Sequence, residues 1–472
     1  MTTALQQTWP KDGQEIFFLG EWCKKHNCKQ SWAKLSWSCC EYHWNDRSKL
    51  YSDYQLIQSI FERILNDLSK ILNNIHSVNY SVRYWRIVVG PWLNYFIGIL
   101  FDRWKMLNSV AIRPESFECN ILEREFGELT PYDMNHFNSL YVDDDWNEGI
   151  YAELLINYFS DSINLKKVKQ EKKNIEQYTE RSSMAVRVKS KVLSYLDYSK
   201  NRKSQQGQYV FQGLSRATSL SLQCKLRQRP KFWHSHELDQ VEPIEASRQW
   251  SILNNVEISP FEKIARAMVV NHIPSLYLEG YLPAVSKIKS LDLPQRPELV
   301  FTTNGYSSDE FFKLWCADSI DSGSRLVIAQ HGGHYGSGLF SATEEHEIKI
   351  SDKYLTWGWT SAKSDKTLAV GNLNESVKPV KYNKDGRALI IGMGIPRYSY
   401  RMYAIPVANQ WLDYFEEQSQ FVTALGENVL NQLVVRPYNK DYGWNMTSRW
   451  RARHPSVVID KGQKSIRSMM SQ

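Results

Sequence analysis

RLVIAQHGGHYGSG, Arg325–Gly338, opens as a short apolar run and passes directly into a loop that packs four glycines and two histidines into its last ten residues. An apolar run of this length, bounded by turn residues, reads as a buried strand. Upstream lies a second run, PELVFTTN (Pro297–Asn304). Between the two, SSDEFFKLWCAD (Ser307–Asp318) reads as a helix with Ser307 or Ser308 as its N-cap. Downstream, KYLTWGW (Lys353–Trp359) supplies another strand. Strand, helix, strand in this rhythm means a parallel sheet. The pattern restarts at RALIIG (Arg387–Gly392), runs through GMGIPRYSY into a helical stretch over Val407–Leu430, and returns as LVVRPY (Leu433–Tyr438) and SVVID (Ser456–Asp460). The class is therefore α/β, with two successive parallel-sheet units.

Residues 1–160 read differently. In DYQLIQSIFERILNDLSKIL (Asp53–Leu72), apolar residues recur at the three- and four-residue spacing of an amphipathic helix. A second helical run covers Tyr80–Leu107 and is expected to break at Gly90-Pro91, because proline removes a ladder hydrogen bond and clashes with the preceding turn. Its most apolar part, Ile87–Phe101, is shorter than the roughly 18 residues a membrane span needs, and it contains Asn94 and Pro91. A buried core helix is the better reading. From Leu165 to Ser204, twelve Lys and Arg stand against four acids, which marks a charged connector or a basic face for anionic lipid or a phosphorylated acceptor.

The whole chain has 472 residues and a formal charge of +7, a mild excess for this length that excludes a dedicated nucleic-acid binder. Seven cysteines without a C-x-x-C pair suggest reduced thiols in a cytoplasmic protein, and the N-terminus shows no secretory pattern.

Chemistry concentrates in the loop after the Arg325 strand. Ligands of parallel sheets bind at the carboxyl ends of strands, so His331, Gly332, Gly333, His334, Tyr335 and Gly336 face the expected cleft. The glycines permit close backbone approach, and His331 can accept or donate a proton. A tight glycine turn with a hydrogen-bonded histidine explains the same letters. Glu344 and Glu345 are candidate acid–base groups, although acids at a helix start satisfy the helix dipole equally well. Gly392 and Gly394, with Arg397 and Arg436 nearby, suit a phosphate or diphosphate. No histidine, cysteine or carboxylate spacing fixes a metal site. Near the N-terminus Trp44, Asp46 and Arg47 mix aromatic and charged groups as sugar-binding surfaces do, with a buried Asp46–Arg47 pair as the alternative.

Taken together, LGEWC (Leu19–Cys23), YHWNDR (Tyr42–Arg47), RYWRIVVGPWL (Arg83–Leu93), FDRW (Phe101–Trp104), QHGGHYG (Gln330–Gly336), ISDKYLTWGW (Ile350–Trp359) and PRYSYR (Pro396–Arg401) resemble the O-antigen or surface-polysaccharide transferases of lipopolysaccharide gene clusters. The resemblance implies a GT-B-like layout: a helix-rich region (1–160), a basic connector and helical segment (161–260), a first Rossmann-like unit completing the acceptor side (261–385) and a partial nucleotide-binding unit (386–472). It implies a glycosyltransferase that takes a nucleotide sugar as substrate, needs no cofactor, and acts on a lipid-linked or growing glycan in the cytoplasm or at the inner face of the membrane. His331 would lie near the transferred sugar, and Gly394, Arg397 and Arg436 on the nucleotide side. The last unit, with about three strands, is shorter than relatives of this type are expected to carry. A truncated or non-catalytic assembly component is therefore an alternative, as is a nucleotide-sugar modifying enzyme such as an epimerase.

Overall fold

The computed structural model describes residues 1–10, 15–169, 209–252, 257–291, 293–294, 296–373, 383, 386–403 and 405–470. Most of the basic stretch Leu165–Ser204 lies outside the described residues.

The amphipathic pattern at Asp53–Leu72 becomes a 30-residue helix, Arg47–His76, longer than the apolar stripe because both ends are capped. Asp46 accepts from the Ser48 and Lys49 amides at 2.9 and 3.1 Å, and Ser77 turns the chain in the left-handed conformation at φ 55°. The second helical run does break where expected. Val82–Val88 ends at Val89, and Gly90–Ala111 begins with Pro91 in its first turn, where a missing N–H costs nothing. That second helix is apolar nearly all round, with Trp92, Leu93, Phe96, Ile97, Ile99 and Leu100 inaccessible to solvent, so it forms the axis of the main core. Among the described residues no helix is long and apolar enough to cross a membrane.

Against these helices lies a five-stranded parallel sheet, in the order Tyr209–Phe211, Leu299–Thr302, Arg325–Ala329, Lys353–Thr356 and Thr367–Ala369. Strand order follows chain order, with no reversal inside the sheet. The alternation of side chains divides its two faces. Val300, Leu326, Ile328 and Tyr354 join the helical core, whereas Phe211, Phe301 and Ala329 form a smaller cluster on the other side with Val327 and Leu355. Both edge strands are three residues long, and the sequence pattern shows neither. It also misses two two-stranded parallel sheets before residue 170, Ile16–Phe18 with Trp37–Cys39 and Phe117–Leu122 with Ile163–Val168. Each joins segments far apart in sequence, and such pairing leaves no local signature.

Residues beyond about 388 build a second core. Ala388–Ile391, Leu433–Arg436 and Val458–Ile459 pair in parallel. The helix Gln410–Thr423, shorter than the expected Val407–Leu430, packs Trp411 on Trp444 with ring centroids 5.1 Å apart. Between the two cores runs an irregular strap, Ile395–Ala408, whose Tyr398, Met402 and Val407 belong to the main core while Ile395 belongs to the second. The architecture is thus mixed α/β, with many helices and several sheets of parallel strands.

Candidate active site

Three central strands end side by side at Thr302, Ala329 and Thr356, and the chain that follows each of them meets at one edge. Gln330 ties this edge together. Its amide donates to the Gly332 carbonyl at 2.7 Å, and its oxygen accepts from the Trp357 amide at 2.9 Å and the Trp359 indole at 2.8 Å. Gly336 has φ 74°, and a Cβ there would sit 2.4 Å from the Trp359 ring, so this position is closed to other residues on two counts. Gly332 and Gly333 are not crowded in this way. The result is a loop with a fixed base that presents His331, 31% exposed, at the carboxyl edge of the sheet.

Behind His331 lies a carboxylate that sequence reasoning passed over. Glu347 is inaccessible to solvent, and its Oε1 stands 3.7 Å from His331 Nδ1. Three tyrosine hydroxyls donate to it: Tyr306, Tyr335 at 3.0 Å and Tyr354 at 2.7 Å. Burial pushes the Glu347 carboxyl up to about 8, even though all three hydroxyls pull it down. Burial also lowers His331, with help from the Arg401 and His334 charges, while a backbone hydrogen bond with Thr303 works against the shift. An imidazole held below its usual range beside a carboxyl raised to about 8 is a proton-accepting arrangement.

The helix Ala342–Ile350 explains why Glu347, and not Glu344 or Glu345, ends inside. Ser341 caps it by accepting from the Glu344 amide, so Glu344 and Glu345 fall in the outward first turn. Glu344 accepts from the Gly336 amide at 2.8 Å and so holds the loop, and burial raises its carboxyl. Ala342, His346 and Ile350 form an inward stripe with Glu347 beside them. That spacing, legible in ATEEHEIKI, is the signal that separates Glu347 from the other two acids.

The remaining candidates occupy three other environments. Arg397 is buried and spends every nitrogen inside the protein: on Asp144 at 2.7 and 2.8 Å, on the Tyr442 carbonyl at 3.1 Å and on the Trp22 carbonyl. Burial alone would raise the Asp144 carboxyl. Arg397, Lys25 and the Tyr398 hydroxyl reverse this and hold it below the usual carboxylate range. Nearby, Asp102 pairs with Arg103 and accepts from Tyr42 at 2.7 Å, and Arg103 donates to Asn147 at 2.7 Å and to the Ser399 carbonyl at 3.0 Å. The strings LGEWC, YHWNDR, FDRW and PRYSYR thus converge on a single interior network. Within YHWNDR, Trp44 is buried with its indole on Asp53 at 2.9 Å, and Asp46 caps the long helix instead of pairing with Arg47. Arg47 reaches across to the Ile405 carbonyl at 3.3 Å and Gln410 at 3.2 Å, on the rim of a surface cavity of about 410 Å³. Gly392, Gly394 and Arg436 lie together on the second sheet. The Gly392 amide donates to the Arg436 carbonyl at 2.8 Å, a Cβ on Gly394 would strike the Tyr438 ring, and the Arg436 guanidinium lies 3.4 Å from Asp460.

Among the described residues no three His, Cys, Asp or Glu side chains gather as a metal site, and the seven cysteines are unbridged. The fold and this edge define a mixed α/β protein with a histidine–carboxyl pair at the carboxyl ends of parallel strands. The chain matches the LIC12162 family transferase over residues 1–472, and it belongs to that transferase family. No curated protein and no solved structure matches it.

Proposed function

We propose that this transferase is a glycosyltransferase of GT-B type that moves a sugar from a nucleotide-activated donor to an O-antigen or other surface-polysaccharide acceptor at the cytoplasmic face of the membrane, with no resident cofactor. The observation that carries the reading is the His331–Glu347 pair, 3.7 Å apart at the carboxyl edge of the central sheet in a chain of a transferase family. In this reaction the acceptor hydroxyl gives its proton to His331. Its oxygen bonds to the anomeric carbon, and the bond from that carbon to the phosphate oxygen breaks, so the nucleotide leaves with the electron pair. Glu347 orients the imidazole and, once ionised, stabilises the imidazolium; turnover should therefore rise with pH through about 8. The Gly392, Gly394 and Arg436 edge of the second sheet takes the nucleotide, and Arg47 belongs to the acceptor side.

The test is a panel of CMP-, UDP-, GDP- and dTDP-sugars on the purified chain, read by melting temperature and by nucleotide release. A nucleotide present at 100 times its Kd adds about 2.7 kcal/mol to folding, so one class of donor should raise the melting temperature and be cleaved when acceptor glycan is present. His331→Ala should keep that rise and lose turnover by about 10²- to 10⁴-fold. A panel with neither stabilisation nor release would refute the reading.

A further inference from the structure

The strap that buries Arg397 also carries Arg401, four residues on, and the two arginines meet opposite surroundings. Arg86, Arg103, Arg124, Arg248, Arg266 and Arg397 each meet a carboxylate. Arg401 meets none among the described residues. Its guanidinium lies over the rings of Tyr400 and Tyr403, 4.8 and 4.4 Å from their centroids, and reaches the Tyr95 hydroxyl only at 3.4 Å. Its Nε is buried with no partner. On the same Tyr403 ring, at 4.8 Å, packs His334, whose Nε2 is also buried and unpartnered. The Arg401 charge bears on His331 and His334, which it helps to lower, and on the hydroxyls of Tyr141, Tyr400, Tyr403 and Tyr442, none of which is a carboxylate. A largely desolvated cation without a counter-charge is costly, and so is a buried donor without an acceptor. Both costs vanish if an anion enters.

We propose that Arg401, His334 and the hydroxyls of Tyr95 and Tyr403 form a cradle for a phosphate or diphosphate group beside His331. A planar carboxylate has two oxygens, which the guanidinium fork takes up, whereas a phosphoryl group has further oxygens for the histidine and the tyrosine hydroxyls. The cradle draws on three separate parts of the chain: the Gly90–Ala111 helix, the glycine-rich loop and the strap. It deepens the glycosyltransferase reading and rests on it for what the phosphate is attached to: a nucleotide sugar or a polyprenyl carrier.

Direct binding tests this without any transfer assay. Inorganic phosphate, pyrophosphate, UDP, GDP and farnesyl diphosphate would be titrated calorimetrically into the full chain and its variants. Pyrophosphate should bind, Arg401→Gln should weaken it by about 10- to 100-fold, and His334→Gln and Tyr95→Phe by smaller factors. Tighter binding of a nucleoside diphosphate than of farnesyl diphosphate assigns the cradle to the donor, and the reverse assigns it to the carrier. In phosphate-free buffer Arg401→Gln should melt no lower than the parent, because it removes an uncompensated charge; a structural arginine would melt lower. Equal pyrophosphate affinity in parent and Arg401→Gln, or no binding of any phosphate probe, overturns the cradle. Should Arg401→Gln fail to fold, unchanged affinity in both His334→Gln and Tyr95→Phe does the same. Pyrophosphate binding through Arg401 with no sugar transfer would leave the cradle standing and defeat the transferase reading alone.

Discussion

Arg397 and Arg401 stand four residues apart in PRYSYR, and their surroundings divide the molecule into two kinds of polar interior. Around Arg397, Asp144, Asp102 and Arg103, each charge has its counter-charge and each fork its acceptors. Around Arg401, His331, His334 and Glu347, the arginine has no carboxylate partner among the described residues, the histidines are held below their usual range and the carboxyl is raised to about 8. A closed network gives up its polar capacity to hold two cores together. An open one keeps that capacity for something that is not part of the chain. The strap serves both, so the first network sets the position of the second.

The comparison breaks most decisively at Asp144. Asp144→Asn leaves Arg397 buried beside a neutral amide and should cost about 3–5 kcal/mol, read from chemical denaturation. A loss below about 1 kcal/mol, in the range of exposed pairs, would mean that the closed network is not what docks the strap.

A smaller effect sharpens the contrast through two neighbouring residues of one helix. Glu347 has its carboxyl raised from 4.5 to about 8, so the folded state holds a proton that the unfolded chain has lost, and the contribution is lost as pH rises across that window, by about 1.4 kcal/mol per unit. Burial lowers His346 from 6.5 to about 3, the Arg86, Lys313 and Lys349 charges push the same way and Glu62 works against them, and both ring nitrogens are unbonded. Its contribution is present above 6.5 and is lost as pH falls toward 3. Glu347→Gln should therefore gain stability over the parent steadily from pH 4.5 to 8, and His346→Met should flatten the acid limb, both read from denaturation midpoints across pH. A Glu347→Gln difference that does not change with pH would show that the carboxyl is already ionised and belongs with the closed networks.

The smallest effect is expected at Arg47. It is exposed and reaches only a carbonyl and an amide, so Arg47→Ala should cost under about 1 kcal/mol. A loss as large as that of Asp144→Asn would place Arg47 among the residues that fix the strap.

Much of the fold was legible because its elements carry local patterns. The runs at Leu299, Arg325, Lys353, Ala388 and Leu433 are strands, Gly90-Pro91 divides two helices, and Asp53–Leu72 lies inside one. Strands of three residues, such as Tyr209–Phe211 and Thr367–Ala369, hold too few side chains to show a period. The site was half legible. Glycine and histidine density marks the His331 loop, but the run of acids at Glu344 and Glu345 is more conspicuous than the Ala342, His346, Ile350 spacing that turns Glu347 inward. YHWNDR behaves likewise: its mixed charges suit a binding surface, but Trp44 is inside and Asp46 caps the long helix.

The sequence by itself determined the α/β class, the long capped helix, the glycine-rich turn after the Arg325 strand and membership of a transferase family. The first three rest on periodicity, caps and positive φ, all of which act within a few residues of one another. Only the tertiary structure decided which charges are paired across the chain, and that Arg397 is satisfied while Arg401 is not. Desolvation and counter-charge depend on segments hundreds of residues apart meeting in space, and no local pattern records that meeting.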